Sequence, residues 1–203
     1  MSSDSIALHT CCGPCGIAAE LSLAERQILF TPYFINPSIH PLMEYERRLL
    51  AFREWSLTLG VECVEVVEYG LEAFLARVTG PPERRCRACV GMRLEATARL
   101  AREHGRGAFS TTLLASPLQR HDEIRTVGRE IAERLGMEFL DHDLRSAFRE
   151  GQARALSMGL YRQTYCGCIF SEAERYAPRL RRLGITTPSA PGSRAADDAL
   201  ATP

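Results

Sequence analysis

The cysteines of this chain are paired, and thiols at such close spacing can hold a metal ion or store electrons. Eight cysteines are present, and six of them form three tight pairs: Cys11 and Cys12, Cys86 and Cys89, and Cys166 and Cys168. The sequence starts without a basic region followed by a long apolar stretch, so no secretory signal is predicted and we expect a cytoplasmic protein. In that reducing compartment, paired thiols are more often metal ligands or redox catalysts than structural bridges.

The first two pairs could contribute to one site. Cys86 and Cys89 lie three residues apart near a predicted helix start, which places both thiols on one helix face. Cys11 and Cys12 follow a predicted parallel strand, at a sheet edge where helix dipoles favour thiolates. Four sulfurs from two short segments could hold a structural zinc, a catalytic zinc or a [4Fe–4S] cluster, and free thiols are the remaining alternative.

The third pair has a different chemistry. Cys166 and Cys168 flank one glycine, and a disulfide between them would close a small, strained ring of the labile, catalytic kind. The alternative is that both are further ligands of the same metal. Cys15, three residues after Cys12, is an alternative ligand. Cys63 is predicted to be a buried small apolar residue.

The pattern of apolar residues predicts an α/β fold. Short β-branched or apolar runs at 6–9, 27–35, 61–69, 108–113 and 138–141 are predicted strands, and amphipathic stretches at 14–24, 41–59, 83–104, 119–135 and 145–158 are predicted helices. This alternation predicts βαβ units and a mostly parallel sheet flanked by helices, with ligands bound beyond the carboxyl ends of the strands. Gly60, Gly105 and Gly136 are expected to end helices in the left-handed conformation.

The length, composition and charge of the chain exclude several classes of protein. Residues 1–184 are expected to form a single domain, and 185–203 a disordered low-complexity tail. No apolar run approaches the roughly 18 residues of a membrane helix. The formal net charge is zero and every basic residue other than histidine is arginine. Any nucleic-acid contact must therefore be local, from arginines such as Arg47, Arg93, Arg120 or Arg162.

Polar and aromatic side chains in the segments between the cysteines are candidate substrate contacts. Each of them could instead brace a turn or pack on a helix face. Aromatic rings that stack on a base, together with arginine and glutamine, suit a nucleotide-like substrate. The first strand–helix turn lacks the glycine-rich dinucleotide and phosphate-loop patterns, so a nucleotide-dependent reaction is not expected. The candidates are His9, Asn36, His40, Glu44, Tyr45, Arg47, Arg93, Thr112, Gln119, His121, Arg162, Gln163 and Tyr165.

Taken together, the motifs of the chain resemble one known family. The segments HTCCGPC (9–15), FINPSIHPLMEYERR (34–48), CRACVGMRLEATA (86–98), STTLLASPLQRH (110–121), DLR (143–145) and YRQTYCGCIFSE (161–172) occur in order over about residues 6–176. In content and order they look like the epoxyqueuosine reductase family of the QueH type. The resemblance covers nearly the whole chain except its tail.

The resemblance implies a fold, a reaction and a cofactor. The fold would be Rossmann-like, related to adenine-nucleotide hydrolases. The reaction would be the reduction of epoxyqueuosine to queuosine at the wobble position of a tRNA anticodon, the last step of queuosine biosynthesis, with an unidentified electron donor and no membrane. By similarity, Cys11, Cys12, Cys86 and Cys89 would ligate a [4Fe–4S] cluster at the carboxyl ends of the strands, and Cys166 and Cys168 would be a redox-active pair.

The resemblance also implies an additional iron ion beside the cluster, for which Asp141, Asp143 and Cys15 are candidate ligands. Two rival interpretations use the same cysteines. One is a zinc-dependent hydrolase or thiol oxidoreductase. The other is a small zinc-stabilised RNA-binding module without catalytic activity.

Overall fold

The structure is a computed structural model, and it describes residues 5–78 and 80–186. Nearly all of the predicted tail, from residue 187 onward, lies outside the described residues. Five strands form one sheet in the order β3-β2-β1-β4-β5, and every neighbouring pair is parallel, which confirms the predicted parallel α/β sheet. The strands are β1 (Ile6–His9), β2 (Phe30–Ile35), β3 (Val64–Val66), β4 (Ala108–Thr111) and β5 (Glu138–Phe139).

Helices flank the sheet in two groups. In the first, α1 packs against α2 and α6, and in the second, α4 packs against α3 and α5. Two short 3-10 helices cover Thr112–Leu114 and Arg145–Ala147. The seven α-helices of the described residues are α1 (Gly13–Ala24), α2 (Leu42–Leu59), α3 (Leu71–Arg77), α4 (Pro82–Glu103), α5 (His121–Leu135), α6 (Phe148–Ser157) and α7 (Ile169–Arg182).

The core consists of two apolar clusters, and α1 contributes to both of them. The larger cluster joins β1 and β4 to α4 and α5, and includes Leu8, Leu94 and Phe109. The smaller cluster joins β2 to α2 and α6 around Phe34 and Trp55. Fully burying a side chain of this size contributes roughly 1.5–3 kcal/mol. Both clusters lie directly against the sheet, so they fix the strand ends that carry the cysteines.

The structure differs from the sequence prediction at several places. Helices α3 and α7 were not predicted, and β3 is much shorter than the predicted 61–69 strand. Cys63 therefore precedes β3 and is only partly buried, so the prediction of a buried residue was wrong. The left-handed glycines were predicted correctly, with φ of 63° at Gly60, 71° at Gly105 and 63° at Gly136. Among the described residues, none of the helices has the length and apolar character needed to cross a membrane.

The topology brings polar segments together at one edge. The chain leaves β1, β2 and β4 in the same direction because these strands are parallel. The turn 10–12 before α1, the loop 36–41 before α2 and the 3-10 helix after β4 therefore meet at the carboxyl edge of the sheet. Ligands bind at this edge in open α/β sheets.

Candidate active site

Three thiols meet in the turn between β1 and α1. The Sγ atoms of Cys11, Cys12 and Cys15 all lie within 4.8 Å of one another, and those of Cys11 and Cys12 are 3.7 Å apart. Cys12 is the extended N-cap residue of α1, and Cys15 follows in the first helical turn, so its sulfur returns to the pair. Within residues 5–78 and 80–186, no other group of at least three histidine, cysteine or carboxylate ligands is as close. This group could bind a metal ion, since thiolates are preferred ligands of zinc and of iron–sulfur clusters.

The thiols of this group are unequal. The pKa of Cys11 is held well below its ordinary value because Cys12 and Cys15 hydrogen-bond to its sulfur. Burial raises the pKa of Cys12, and the bond to Cys11 raises that of Cys15. One thiolate is thus stabilised by two thiols, and these two thiols would release their protons when a metal ion binds to the three sulfurs.

Two of the predicted substrate contacts instead touch this cysteine group. Thr112 Oγ1 accepts the backbone N–H of Cys11 at 3.2 Å and lies 3.5 Å from its sulfur. Gln163 donates from Nε2 to the sulfur of Cys15 at 3.2 Å. The Oε1 atom of Gln163 is buried without a hydrogen-bond partner among the described residues. Both side chains therefore orient the thiols, and Gln163 keeps an acceptor free for a bound group.

Cys86 and Cys89 lie on the first turns of α4, half-buried, and outside the close group of three. Burial raises the pKa of Cys86, and the charges of Arg120 and Cys166 also act on it. The pair therefore lies within electrostatic range of the thiol of Cys166. The four-cysteine set implied by the resemblance therefore stays a prediction, and Cys15, the alternative ligand, belongs to the close group with Cys11 and Cys12.

The Cys166–Cys168 pair lies in the loop before α7. Its sulfurs are 3.9 Å apart as free thiols. The hydrogen bond between the two sulfurs and one with Ser171 lower the pKa of Cys166 to about 5, against the effect of burial. Cys168 is the N-cap of α7 and accepts the backbone N–H of Ser171 at 3.4 Å. The pair is thus a thiolate beside a thiol, the arrangement that reactive dithiols use.

The loop that carries this pair is fixed by a buried arginine. Arg48 donates to the carbonyl oxygens of Tyr165 at 2.8 Å and Cys166 at 3.1 Å, and its Nε bonds Glu44 at 2.7 Å. Tyr161 donates its hydroxyl to the same Glu44 carboxylate. Gly167 has a φ of +123°, and a Cβ there would lie 3.1 Å from Arg48 Nη1. Sequence reasoning missed Arg48, although the Glu44–Arg48 spacing of four residues signals an ion pair on one helix face.

His9 and Asn36 brace the ends of the strands. The ring of His9 hydrogen-bonds Thr111 Oγ1 at 2.8 Å and Asn36 Oδ1 at 3.3 Å. Asn36 also donates to the carbonyl of Thr10 at 2.9 Å. Burial, assisted by the charge of Arg93, lowers the pKa of His9 to about 4, so the ring is neutral. These two candidates hold the β1, β2 and β4 ends together directly beside Cys11.

His40 links the loop after β2 to the Cys166–Cys168 loop. Its backbone N–H donates to Gly167 O at 2.7 Å, and its carbonyl accepts the hydroxyl of Tyr165 at 2.9 Å. Its ring is completely buried against Tyr69 and Phe74. Neither ring nitrogen has a hydrogen-bond partner among the described residues, and burial lowers the pKa of His40 to about 4. A neutral imidazole is therefore available next to the dithiol loop.

Other candidates lie away from the cysteines. Tyr45 is a core residue whose ring packs on Phe34, so it does not face a ligand. Arg47 is exposed and lies over the ring of Tyr161 at 5.7 Å. Arg162 is exposed and bonds Gln152 at 3.0 Å.

The candidates in the segments after β4 and β5 also make contacts away from the cysteines. His121 bonds the carbonyl of Ser116 at 2.8 Å and begins α5, two residues later than predicted. Gln119 belongs to the preceding turn. The candidate iron ligands Asp141 and Asp143 are instead ion-paired with arginines and line a separate cavity of about 670 Å³ that contains no cysteine.

Arg93 is buried at the centre of the three cysteine segments. It is 2% exposed and its Nε donates to Ser38 Oγ in the loop after β2. Burial lowers the pKa of Arg93, but the negative charges of Cys89, Cys166 and Cys11 outweigh this effect and raise the pKa above its ordinary value. The side chain is therefore a permanent cation. One residue from each cysteine pair therefore acts on this guanidinium.

Comparison with known proteins gives a consistent result. The model of the family "Epoxyqueuosine reductase QueH" matches residues 6–174. Similar curated proteins carry the same name in three bacteria. The protein of Dehalococcoides mccartyi is 36% identical over 83% of this chain and 93% of its own length. The protein of Thermotoga maritima is 34% identical over 84% of this chain and 92% of its own length. The protein of Staphylococcus epidermidis is 31% identical over 82% of this chain and 75% of its own length.

The matched region contains all three cysteine pairs, Cys15 and the residues that hold them in place. It leaves out only the first five residues and the segment from the second half of α7 onward. The resemblance of the sequence motifs is therefore confirmed over the whole of the cysteine site. This chain belongs to the epoxyqueuosine reductase QueH family.

Proposed function

We propose that this chain reduces the epoxide of epoxyqueuosine in tRNA to the alkene of queuosine, with Cys166 and Cys168 as the immediate two-electron donor. The single observation that carries the proposal is the free dithiol, whose sulfurs are 3.9 Å apart, in a chain where three further cysteines form a group that could bind a metal. The reaction balances. The thiolate and the thiol lose two electrons and one proton and form a disulfide, while the epoxide takes up those electrons, that proton and a second proton from solvent, loses its oxygen as water and becomes an alkene.

The proposed cofactor is a [4Fe–4S] cluster held by Cys11, Cys12, Cys86 and Cys89, with an additional iron ion beside Cys15. The donor set fits such groups, because three sulfurs lie together and the free Oε1 of Gln163 faces no protein donor among the described residues. When bound, the cluster would supply electrons one at a time to regenerate the dithiol, drawing on an external donor of unassigned identity.

The protein side chains have defined tasks in this proposal. Arg48 donates to the carbonyl oxygens of Tyr165 and Cys166, so the dithiol loop keeps one geometry as the pair is oxidised and reduced. The low pKa of Cys166 keeps its thiolate present at neutral pH. The backbone of His40 bonds Gly167 and the hydroxyl of Tyr165, and so helps to hold this loop in place.

The same proposal covers the setting of the reaction. Residues 1–184 would act as one domain in the cytoplasm, and the strand order 3-2-1-4-5 supports a Rossmann-like classification. The substrate base lies in an unpaired anticodon loop, so it can leave its stack without melting a helix. Selectivity for tRNA then requires contacts to the phosphates that flank the loop.

A groove beside α4 is suited to those phosphates. It has a volume of about 650 Å³ and is formed by α3, the first turns of α4 and α5. Arg85 of this groove lies 4.2 Å above the ring of Phe170, two residues after Cys168. Five arginines and two glutamates line it: Arg77, Arg84, Arg85, Arg87, Arg134, Glu95 and Glu130.

The charges of this groove are only partly neutralised. Arg87 pairs with Glu130, and Arg134 pairs with Glu95. Arg77, Arg84 and Arg85 form no ion pair with any described side chain. These three arginines are therefore the part of the groove that can bind a phosphate backbone without first breaking an ion pair within the described residues.

Replacing these three arginines by glutamine is expected to weaken tRNA binding by roughly 10-fold or more at low salt. The slope of log K against log salt should fall by about 0.9 for each phosphate that the variant no longer neutralises. Fluorescence anisotropy with labelled tRNA over a salt series measures both quantities. Arg53→Gln is the matched control, because Arg53 is exposed and paired with Glu65. Unchanged affinity and slope in the triple variant would place the phosphate-binding residues elsewhere.

Complementation in cells tests the proposed function. A bacterial host that lacks its own epoxyqueuosine reductase accumulates epoxyqueuosine in its tRNA. Expression of this chain is expected to restore queuosine, as seen by mass analysis of tRNA nucleosides. Expression of the Cys166→Ser variant should leave epoxyqueuosine in place. Restoration by both forms would remove the dithiol from the reaction.

A further inference from the structure

Arg93 is a buried cation without a carboxylate partner in the described part of the chain. It is 2% exposed, and the only hydrogen bond of its side chain within the described residues is the one from Nε to Ser38 Oγ. Arg48, equally buried, differs because it pairs with Glu44 and donates to two carbonyls. An unpaired buried charge is strongly unfavourable, so another anion must offset that of Arg93.

The thiols are the anions within reach. Cys86, Cys89 and Arg93 are spaced by three and four residues on α4, which places them on one helix face. Ser38 ties the guanidinium to the loop 36–41, and that loop is bonded through His40 to Gly167, between the two redox thiols.

The electrostatics of the site point the same way. The charges of Cys89, Cys166 and Cys11 all act on Arg93, and those of Cys11 and Cys12 also act on Arg48. Arg93 is therefore the cation on which a thiol of each of the three segments acts. Three features therefore coincide at this residue: its burial, the lack of a carboxylate partner among the described residues, and thiols on more than one side.

We propose that Arg93 is the fixed counter-charge of the cysteine centre, a positioning residue that sets the reduction potential of the metal group held there. The inference rests on the proposed function in one respect, the presence of an iron–sulfur cluster. Reduction adds negative charge to the centre, and a nearby buried cation stabilises the reduced form relative to the oxidised form. The reduction potential is therefore higher with Arg93 than without it.

The test is a redox titration of the holoenzyme, followed by electron paramagnetic resonance. Arg93→Gln is expected to shift the midpoint potential to more negative values, because it removes the charge and keeps a polar side chain. Arg93→Lys should lie between this variant and the unmodified protein. Arg99→Gln is the matched control, since Arg99 is on the same helix but exposed and paired with Glu95. The control should leave the potential unchanged.

Two results would overturn the inference. The first is an Arg93→Gln protein with full iron content and an unshifted potential. The second result applies if the Arg93→Gln protein loses its iron. It compares the metal-free forms of the unmodified protein and of Arg93→Gln. Without the nearby cation the Cys166 thiolate is less stable, so alkylation by iodoacetamide at pH 6 should slow in Arg93→Gln, and an unchanged rate counts against the proposal. Neither readout requires turnover, so a protein inactive on epoxyqueuosine would refute the proposed function while leaving this test intact.

Discussion

Replacing either Cys166 or Cys168 by serine is expected to abolish turnover while the metal content stays unchanged. Each sulfur supplies one of the two electrons that the epoxide needs, so loss of either sulfur removes the two-electron step. The sulfurs are 3.9 Å apart and neither belongs to the close metal-binding group. We expect kcat to fall by roughly 10³-fold or more, as for other residues that act as a unit.

The measurement combines product analysis with iron and sulfide determination on anaerobically purified protein. Cys63→Ser is the matched control, because Cys63 is a partly buried thiol that bonds the carbonyl of Val61, away from the other cysteines. A serine variant that keeps turnover within a few-fold would exclude the dithiol as the electron store. A variant that loses iron along with turnover would make the pair metal ligands, the alternative left open by the sequence.

The second large effect concerns Cys15. Under the proposed assignment, Cys15→Ser should yield protein with one iron fewer per chain and an unchanged sulfide content, because Cys15 would bind the additional iron rather than the cluster. Cys12→Ser should lose nearly all iron and sulfide. The geometry does not separate the three sulfurs, which share one 4.8 Å group, but only Cys11 and Cys12 belong to the four-cysteine set that the resemblance implies.

Iron and sulfide analysis of the three proteins, with Mössbauer spectroscopy, checks this assignment. Equal losses in Cys12→Ser and Cys15→Ser would make Cys15 a cluster ligand. Retention of full metal in Cys86→Ser and Cys89→Ser would remove the α4 pair from the cluster. A colourless protein with stoichiometric zinc would favour the zinc-dependent rival.

The sheet could be predicted from the sequence because its strands are short apolar runs separated by amphipathic helices. Helix α7 could not, since Pro178 lies inside it and none of its side chains is fully buried. Its first turn is instead stabilised by Cys168 as the N-cap, and cysteine is not a residue type from which an N-cap is predicted. The helix matters for function because this cap places the dithiol at its N-terminus.

The geometry of the candidate site could not be predicted from its residue types. Arg47 was chosen and its neighbour Arg48 was missed, because only the phase of α2 decides which of the two faces inward. Cys15 was an alternative ligand by its spacing, and the turn into α1 brings its sulfur to Cys11 and Cys12. Such choices depend on tertiary contacts across more than a hundred residues, as between Arg48 and Cys166.

The most direct measurement of the central claim is a mass analysis of nucleosides after anaerobic incubation of the purified holoenzyme with epoxyqueuosine-containing tRNA and a strong chemical reductant. The account predicts that epoxyqueuosine disappears and that a nucleoside lighter by one oxygen atom, queuosine, replaces it in equal amount. Protein with full iron content and free thiols that leaves epoxyqueuosine unchanged would contradict it.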